Sequence, residues 1–152
     1  MKTTKIISAF PATGKTYVTR KAETLGLTIQ DSDSSDFSWN ADKTTRHDEW
    51  PQNYLKHIMT SIGKVDYILV SSHQEVRNGL LDLNVKFTLV YPSVELKDEY
   101  IQRVKERGSD DLFIKLLDRN WVLFLSSLKE CECAEHIQLG SGEFLEKVIK
   151  EK

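Results

Sequence analysis

Short apolar runs alternate with longer stretches whose apolar residues recur at three- and four-residue spacing, from one end of the chain to the other. The short runs read as strands buried on both faces, and the longer stretches as amphipathic helices. Residues 5–10 (K-I-I-S-A-F) predict a first strand. Residues 16–25 then predict a helix with Tyr17, Val18, Ala22 and Leu25 on one face and Gly26 as its stop. A short second strand at 27–30 is followed by the polar stretch 31–49, long enough to be a functional flap rather than a plain connection. Pro51 suits a first helical position, Tyr54, Leu55, Ile58, Met59 and Ile62 repeat at helical spacing, and Gly63 ends the run.

Residues 65–71 (V-D-Y-I-L-V-S) and 85–91 (V-K-F-T-L-V-Y) predict central strands around a short helix at 74–83. Two amphipathic stretches follow. Residues 95–107 align Leu96, Tyr100, Ile101 and Val104, and residues 111–128 carry Leu112, Phe113, Leu116, Leu117, Trp121, Phe124, Leu125 and Leu128. Between them Gly108 reads as the stop of one helix and Ser109 as the N-cap of the next. A last strand at 134–139 and a last helix at 143–150 complete an alternation of the α/β class with a mainly parallel sheet.

With 152 residues and no Gly/Ser-rich linker or internal repeat, the chain is expected to form a single domain. Its 21 basic and 23 acidic residues are interspersed and sum to −2, so a polyanion has to be met by a local pocket. A groove for extended nucleic acid would need more basic charge than this. No apolar run approaches the ~20 residues that cross a bilayer, and the start lacks the apolar stretch of a signal peptide, which together lead to a cytoplasmic expectation. Cys131 and Cys133 are too few for a disulfide framework or a four-ligand zinc site and read as reduced structural thiols. His47, His57 and His136 show no ligand spacing with acids or cysteines.

Directly after the first strand stands A-F-P-A-T-G-K-T, residues 9–16, which matches G-x-x-x-x-G-K-[ST] except for Ala9 at the first glycine. Backbone N–H groups around Ala12, Thr13, Gly14 and Lys15 can cradle phosphate oxygens there. Lys15 can neutralise β/γ-phosphate charge, and the Thr16 hydroxyl can hold Mg2+. The nucleotide is therefore expected along Ala12–Tyr17. Asp31 and Asp33 are two apart at a strand end, so their side chains leave on the same side and can share a pocket. In the flap, Trp39 and Arg46 are candidates for substrate contact, whereas Trp50 and Tyr54 are assigned to packing.

The loop, the acidic pair after the second strand, the flap and two later arginines four apart together resemble the P-loop kinases of small molecules over nearly the full length. That group holds nucleoside monophosphate kinases, shikimate kinases and the kinase half of polynucleotide kinases. The strings A-F-P-x-T-G-K-T-Y, D-S-D-S-S and Y-P-S-x-E-L-K are also similar to small kinase-like proteins of bacteria and their phages.

The resemblance implies a three-layer α/β/α fold with five parallel strands in the order 2-3-1-4-5, a flap near 31–63 and a lid near 95–119. It implies ATP and Mg2+ as cofactors and a small acceptor. Of the D-x-D pair it assigns Asp31 to the metal and Asp33 to the acceptor, the reverse assignment being equally compatible. Arg103 and Arg107 match lid arginines that close over the triphosphate. Arg77 matches by position an arginine that holds an acceptor phosphate, and Arg119 is a further candidate for the adenine or phosphate side.

The chain departs from the pattern at Ser71 and Ser72, where the group's Walker-B acid would stand. Asp31 is the natural substitute, and Ser71, Ser72 or His73 either contacts metal-bound water or, equally compatible, only closes the strand end. The expected function is transfer of the γ-phosphate of ATP to a nucleoside or deoxynucleoside monophosphate. A hydroxyl acceptor of shikimate, sugar or polynucleotide 5′ type is the alternative, as is a non-catalytic nucleotide-binding protein.

Overall fold

A computed structural model describes residues 2–34, 37 and 45–149. Its strands are β1 (Lys5–Ala9), β2 (Ile29–Asp31), β3 (Tyr67–Ser71), β4 (Thr88–Pro92) and β5 (Glu135–Leu139). The helices are α1 (Lys15–Lys21), α2 (Gln52–Ser61), α3 (Gln74–Asp82), α4 (Lys97–Glu106) and α5 (Asp111–Lys129), with 3-10 turns at Val94–Leu96 and Leu145–Lys147. The strands make one sheet in the order β2-β3-β1-β4-β5, each neighbouring pair parallel, as expected.

The apolar runs are continuous because the sheet is covered on both sides. Ile6 and Phe10 of the first run, Ile68 and Val70 of β3, and Leu89 and Tyr91 of β4 enter one core, with α2, α3, α4 and α5 packed over it. Their sequence neighbours Ile7, Ala9, Tyr67, Leu69 and Val90 enter a second core closed by Val18 of α1 and by Leu145 and Ile149 near the C-terminus. Helices and turn thus form outer layers on the two faces of the sheet.

Ala9 pairs with Ser71 on one side and Val90 on the other, while Asp31 pairs with Leu69. Parallel strands in that register bring the loops after β1, β2 and β3 to one edge of the sheet, where ligands of open α/β sheets sit.

Several local expectations shift. The first helix ends at Lys21 and gives way to turns that run to Gly26, whose φ is 71°. Tyr17, expected on its buried face, is 56% exposed. Pro51 is the N-cap of α2 rather than its first residue, and the N-cap of α5 is Asp110, not Ser109, its carboxylate accepting from Phe113 N at 2.8 Å. Leu112 and Leu116 point to solvent, because α5 buries only the stripe Leu117, Trp121, Leu125 and Leu128. The last helix is only the 3-10 turn Leu145–Lys147. Among the described residues no helix is long and apolar enough to cross a membrane.

Candidate active site

Ala9 does not occupy the turn at all. It is the last residue of β1, 1% exposed, and its methyl belongs to the core beneath the sheet. The left-handed positions of the following loop are Ala12, with φ 65°, and Gly14, with φ 96°. Backbone turned this way makes a concave nest of N–H groups suited to an anion. Thr13 between them is buried, and its hydroxyl donates to Phe10 O at 2.7 Å, closing the loop on itself. Phe10 N donates to Val90 O at 3.0 Å, and Leu145 N to Thr13 O at 2.8 Å, so the loop is pinned from both sides.

A cleft of about 700 Å³ opens over this loop, lined by Ala12, Gly14, Lys15, Thr16, Tyr17, Arg20, Arg103, Glu106, Arg107 and Phe144. Loss of hydration lowers the pKa of Lys15, against the opposing pull of Asp31 and Asp33, while the charge of Arg107 lowers it further. Asp31 is pushed the other way, its acid form favoured first by desolvation and then by Asp33, with Lys15 opposing. Three charged groups from two other segments, Asp31, Asp33 and Arg107, thus act on the P-loop lysine. Among the described residues no cluster of three His, Cys, Asp or Glu could hold a metal by itself.

Ser32, between the two aspartates, is 3% exposed and tied on every side. Its N–H donates to Leu69 O at 2.9 Å, its carbonyl accepts from the Tyr54 hydroxyl at 2.5 Å, and its hydroxyl lies 3.1 Å from His57 Nε2. The Tyr54 oxygen also accepts from Ser71 N at 3.3 Å, joining the ends of β2 and β3. Tyr54 is fully buried, as its assignment to packing requires. Trp50 donates to Glu75 Oε2 at 2.8 Å and meets Tyr54 and His73 with its ring.

Arg46 lies over Trp50 at 5.8 Å, and its charge reaches His73, whose pKa burial lowers. At the place of the missing Walker-B acid, the Ser71 hydroxyl sits 3.0 Å from His73 Nδ1, and the Ser71 carbonyl accepts from Ser8 Oγ at 2.8 Å.

The remaining candidates separate. Arg107 lines the cleft, its Nε donating to Ser109 Oγ at 3.0 Å. Arg103 lines it too, but its guanidinium donates to Ala12 O, Glu99 and Glu143 O. Arg77, expected at an acceptor phosphate, is 5% exposed and joins α3 to α5, with Nε on Ser72 O at 2.8 Å and Nη2 on Ser127 Oγ at 3.1 Å. Its fork is spent inside the protein. Arg119 lies on the exposed side of α5, outside the cleft lining. Trp39 lies outside the described residues.

Phe144 is a cleft residue that sequence reasoning missed. The turn G-S-G at 140–142 after the last parallel strand could have marked it, because that turn opens on the same sheet edge as the P-loop.

A solved structure of the tunicamycin resistance protein of Deinococcus radiodurans superposes with a TM-score of 0.59 at 15% identity, covering 97% of this chain and 91% of that one. The chain has the P-loop NTPase fold. An uncharacterised protein from Eubacterium ventriosum gives a TM-score of 0.49 at 14% identity, over 97% of this chain and 94% of that one. A de novo designed P-loop NTPase gives 0.35 at 14% identity, over 87% and 98%. No known family's sequence model matches the chain, and no curated protein matches it.

Proposed function

We propose that the chain is an ATP-dependent phosphotransferase that moves the γ-phosphoryl group to a hydroxyl of a small acceptor. The carrying observation is the cleft over the left-handed Ala12 and Gly14, lined by Lys15 and Arg107, at the sheet edge where β2 ends at Asp31, with the charges of Asp31 and Asp33 acting on Lys15. In this reading the loop amides and Lys15 hold the β- and γ-phosphates, and Arg107 balances charge on the moving group. Thr16 and Asp31 are the residues that would hold Mg2+, which supplies further charge neutralisation when bound. The acceptor oxygen bonds to the γ-phosphorus as the bond to the ADP oxygen breaks, and Asp33 takes the hydroxyl proton. Residues 31–63 then form the acceptor side, and 95–119 the side that covers the triphosphate.

A phosphate acceptor needs positioning and cations but no base, whereas a hydroxyl acceptor uses a carboxylate. Two carboxylates stand beside Lys15, and Arg77 has no fork to offer, which favours the hydroxyl over the nucleoside monophosphate. Arg46, over Trp50 on the acceptor side, is the observation that favours the nucleoside monophosphate instead.

The deciding experiment is ADP release from ATP and Mg2+ with nucleosides, sugars, hydroxy acids and tunicamycin on one side and nucleoside monophosphates on the other. We expect release with a hydroxyl-bearing acceptor, reduced by at least about 100-fold in Lys15→Ala, since the loss is of a charge on the transferring phosphates. Release with monophosphates alone would move the assignment to a nucleotide kinase. ATP binding with no release from any acceptor would leave a nucleotide-binding protein.

A further inference from the structure

Arg103 leaves α4 toward the P-loop and is engaged through both terminal nitrogens and by two aromatic rings. Nη1 donates to Ala12 O at 3.0 Å, and Nη2 donates to Glu99 Oε2 at 2.8 Å and to Glu143 O at 3.4 Å. Its guanidinium carbon lies 4.3 Å from the Tyr100 ring centroid and 4.0 Å from that of Phe144. Glu99 is in turn oriented by the segment after β5, accepting from Ser141 Oγ at 2.5 Å and from Gly142 N at 3.0 Å.

The carbonyl at the end of this chain of contacts belongs to Ala12, the left-handed residue of the nest, a conformation an alanine adopts only against a steric penalty. Phe144 lies against the other left-handed position, 3.2 Å from where a Gly14 Cβ would stand.

We propose that Arg103 is a positioning residue that fixes the shape of the phosphate-binding loop through the Ala12 carbonyl, with Glu99 orienting it, and that it does not itself grip phosphate. The proposal rests on the nucleotide-binding reading above and, of the two arginines, assigns the phosphate-facing role to Arg107. To reach a phosphate, Arg103 would have to leave two carbonyls, a carboxylate and two aromatic faces at once. The planar fork reaches Ala12 with one nitrogen and Glu99 and Glu143 with the other, whereas a lysine ammonium gathers its donors at a single point on a flexible stem.

The test is ADP binding by calorimetry to the wild type, Arg103→Lys, Glu99→Gln and Lys15→Ala, with amide hydrogen exchange of residues 12–15 measured without ligand. ADP carries no γ-phosphate, so it reports the loop rather than a closing lid. We expect Arg103→Lys and Glu99→Gln each to weaken ADP binding about tenfold or more, as loss of a charge-assisted hydrogen bond implies, and to speed loop exchange. Unchanged ADP affinity with lower turnover in Arg103→Lys, and unchanged or higher turnover in Glu99→Gln, would make Arg103 a lid arginine held back by Glu99 and overturn the proposal. Equal ADP binding by Lys15→Ala would remove only Lys15 from the nucleotide reading, whereas no ADP binding by the wild type would overturn that reading itself. In that case loop exchange still decides, since unchanged protection in both variants removes the strut.

Discussion

Lys15 stands where opposite demands meet, because enclosing its ammonium disfavours the charge that two aspartates and the proposed triphosphate need. Asp31 and Asp33 are not equivalent neighbours of it. Asp31 still belongs to β2, paired with Leu69, and desolvation raises its pKa, while Asp33 lies beyond the strand. Asp31→Asn is therefore expected to lower turnover in a way that raised Mg2+ partly restores. Asp33→Asn should lower kcat without such rescue, because a proton acceptor is lost rather than a metal partner. Mg2+ titrations of both variants check this, and equal rescue of the two would cancel the separate roles.

The helices do more than cover the sheet, and α2 shows how an element sets a site it does not enter. Tyr54, on its buried side, holds Ser32 O and Ser71 N with one hydroxyl and so aligns the aspartates with the end of β3. Tyr54→Phe keeps the ring in place but leaves a buried carbonyl and a buried N–H short of a partner, at a cost of about 1–3 kcal/mol. At about 2–4 °C per kcal/mol for a chain of this size, the melting temperature should fall by several degrees. Turnover should fall with it. A melting temperature within 1 °C of the parent would show that the hydroxyl bonds carry no net stability.

At this scale the sequence was informative where periodicity has a single solution. The helical repeat of Tyr54, Leu55 and Ile58 locates α2, and G-K-T after a strand locates the loop. It was silent where a role depends on a distant partner. Arg77 and Arg103 look alike as exposed-type cations on helices, yet one is locked to Ser127 and the other to Ala12, partners 50 and 91 residues away.

In the whole molecule the cleft joins segments brought together only by the parallel sheet, so its acid dependence combines groups of opposite sign. Ser141, Gly142 and Arg103 hold the Glu99 carboxyl below its ordinary 4.5, so its stabilising contribution is full above 4.5 and is lost as pH falls through the depressed folded value. Asp31 runs the other way. Its folded pKa lies above the ordinary 3.8, so ionisation opposes folding above the folded value and that penalty vanishes below 3.8. At pH 7, Glu99→Gln should melt below the wild type and Asp31→Asn above it, even though the second variant loses activity. The Asp31→Asn difference should shrink by pH 3, below both the ordinary 3.8 and the raised folded value, while the Glu99→Gln difference shrinks as pH falls from 4.5 through the depressed folded value. Thermal melts of the three proteins at pH 7 and pH 3 provide the check. A destabilised Asp31→Asn at pH 7 would mean that attraction to Lys15 outweighs desolvation, and the site would then be held together by its charges rather than strained by them.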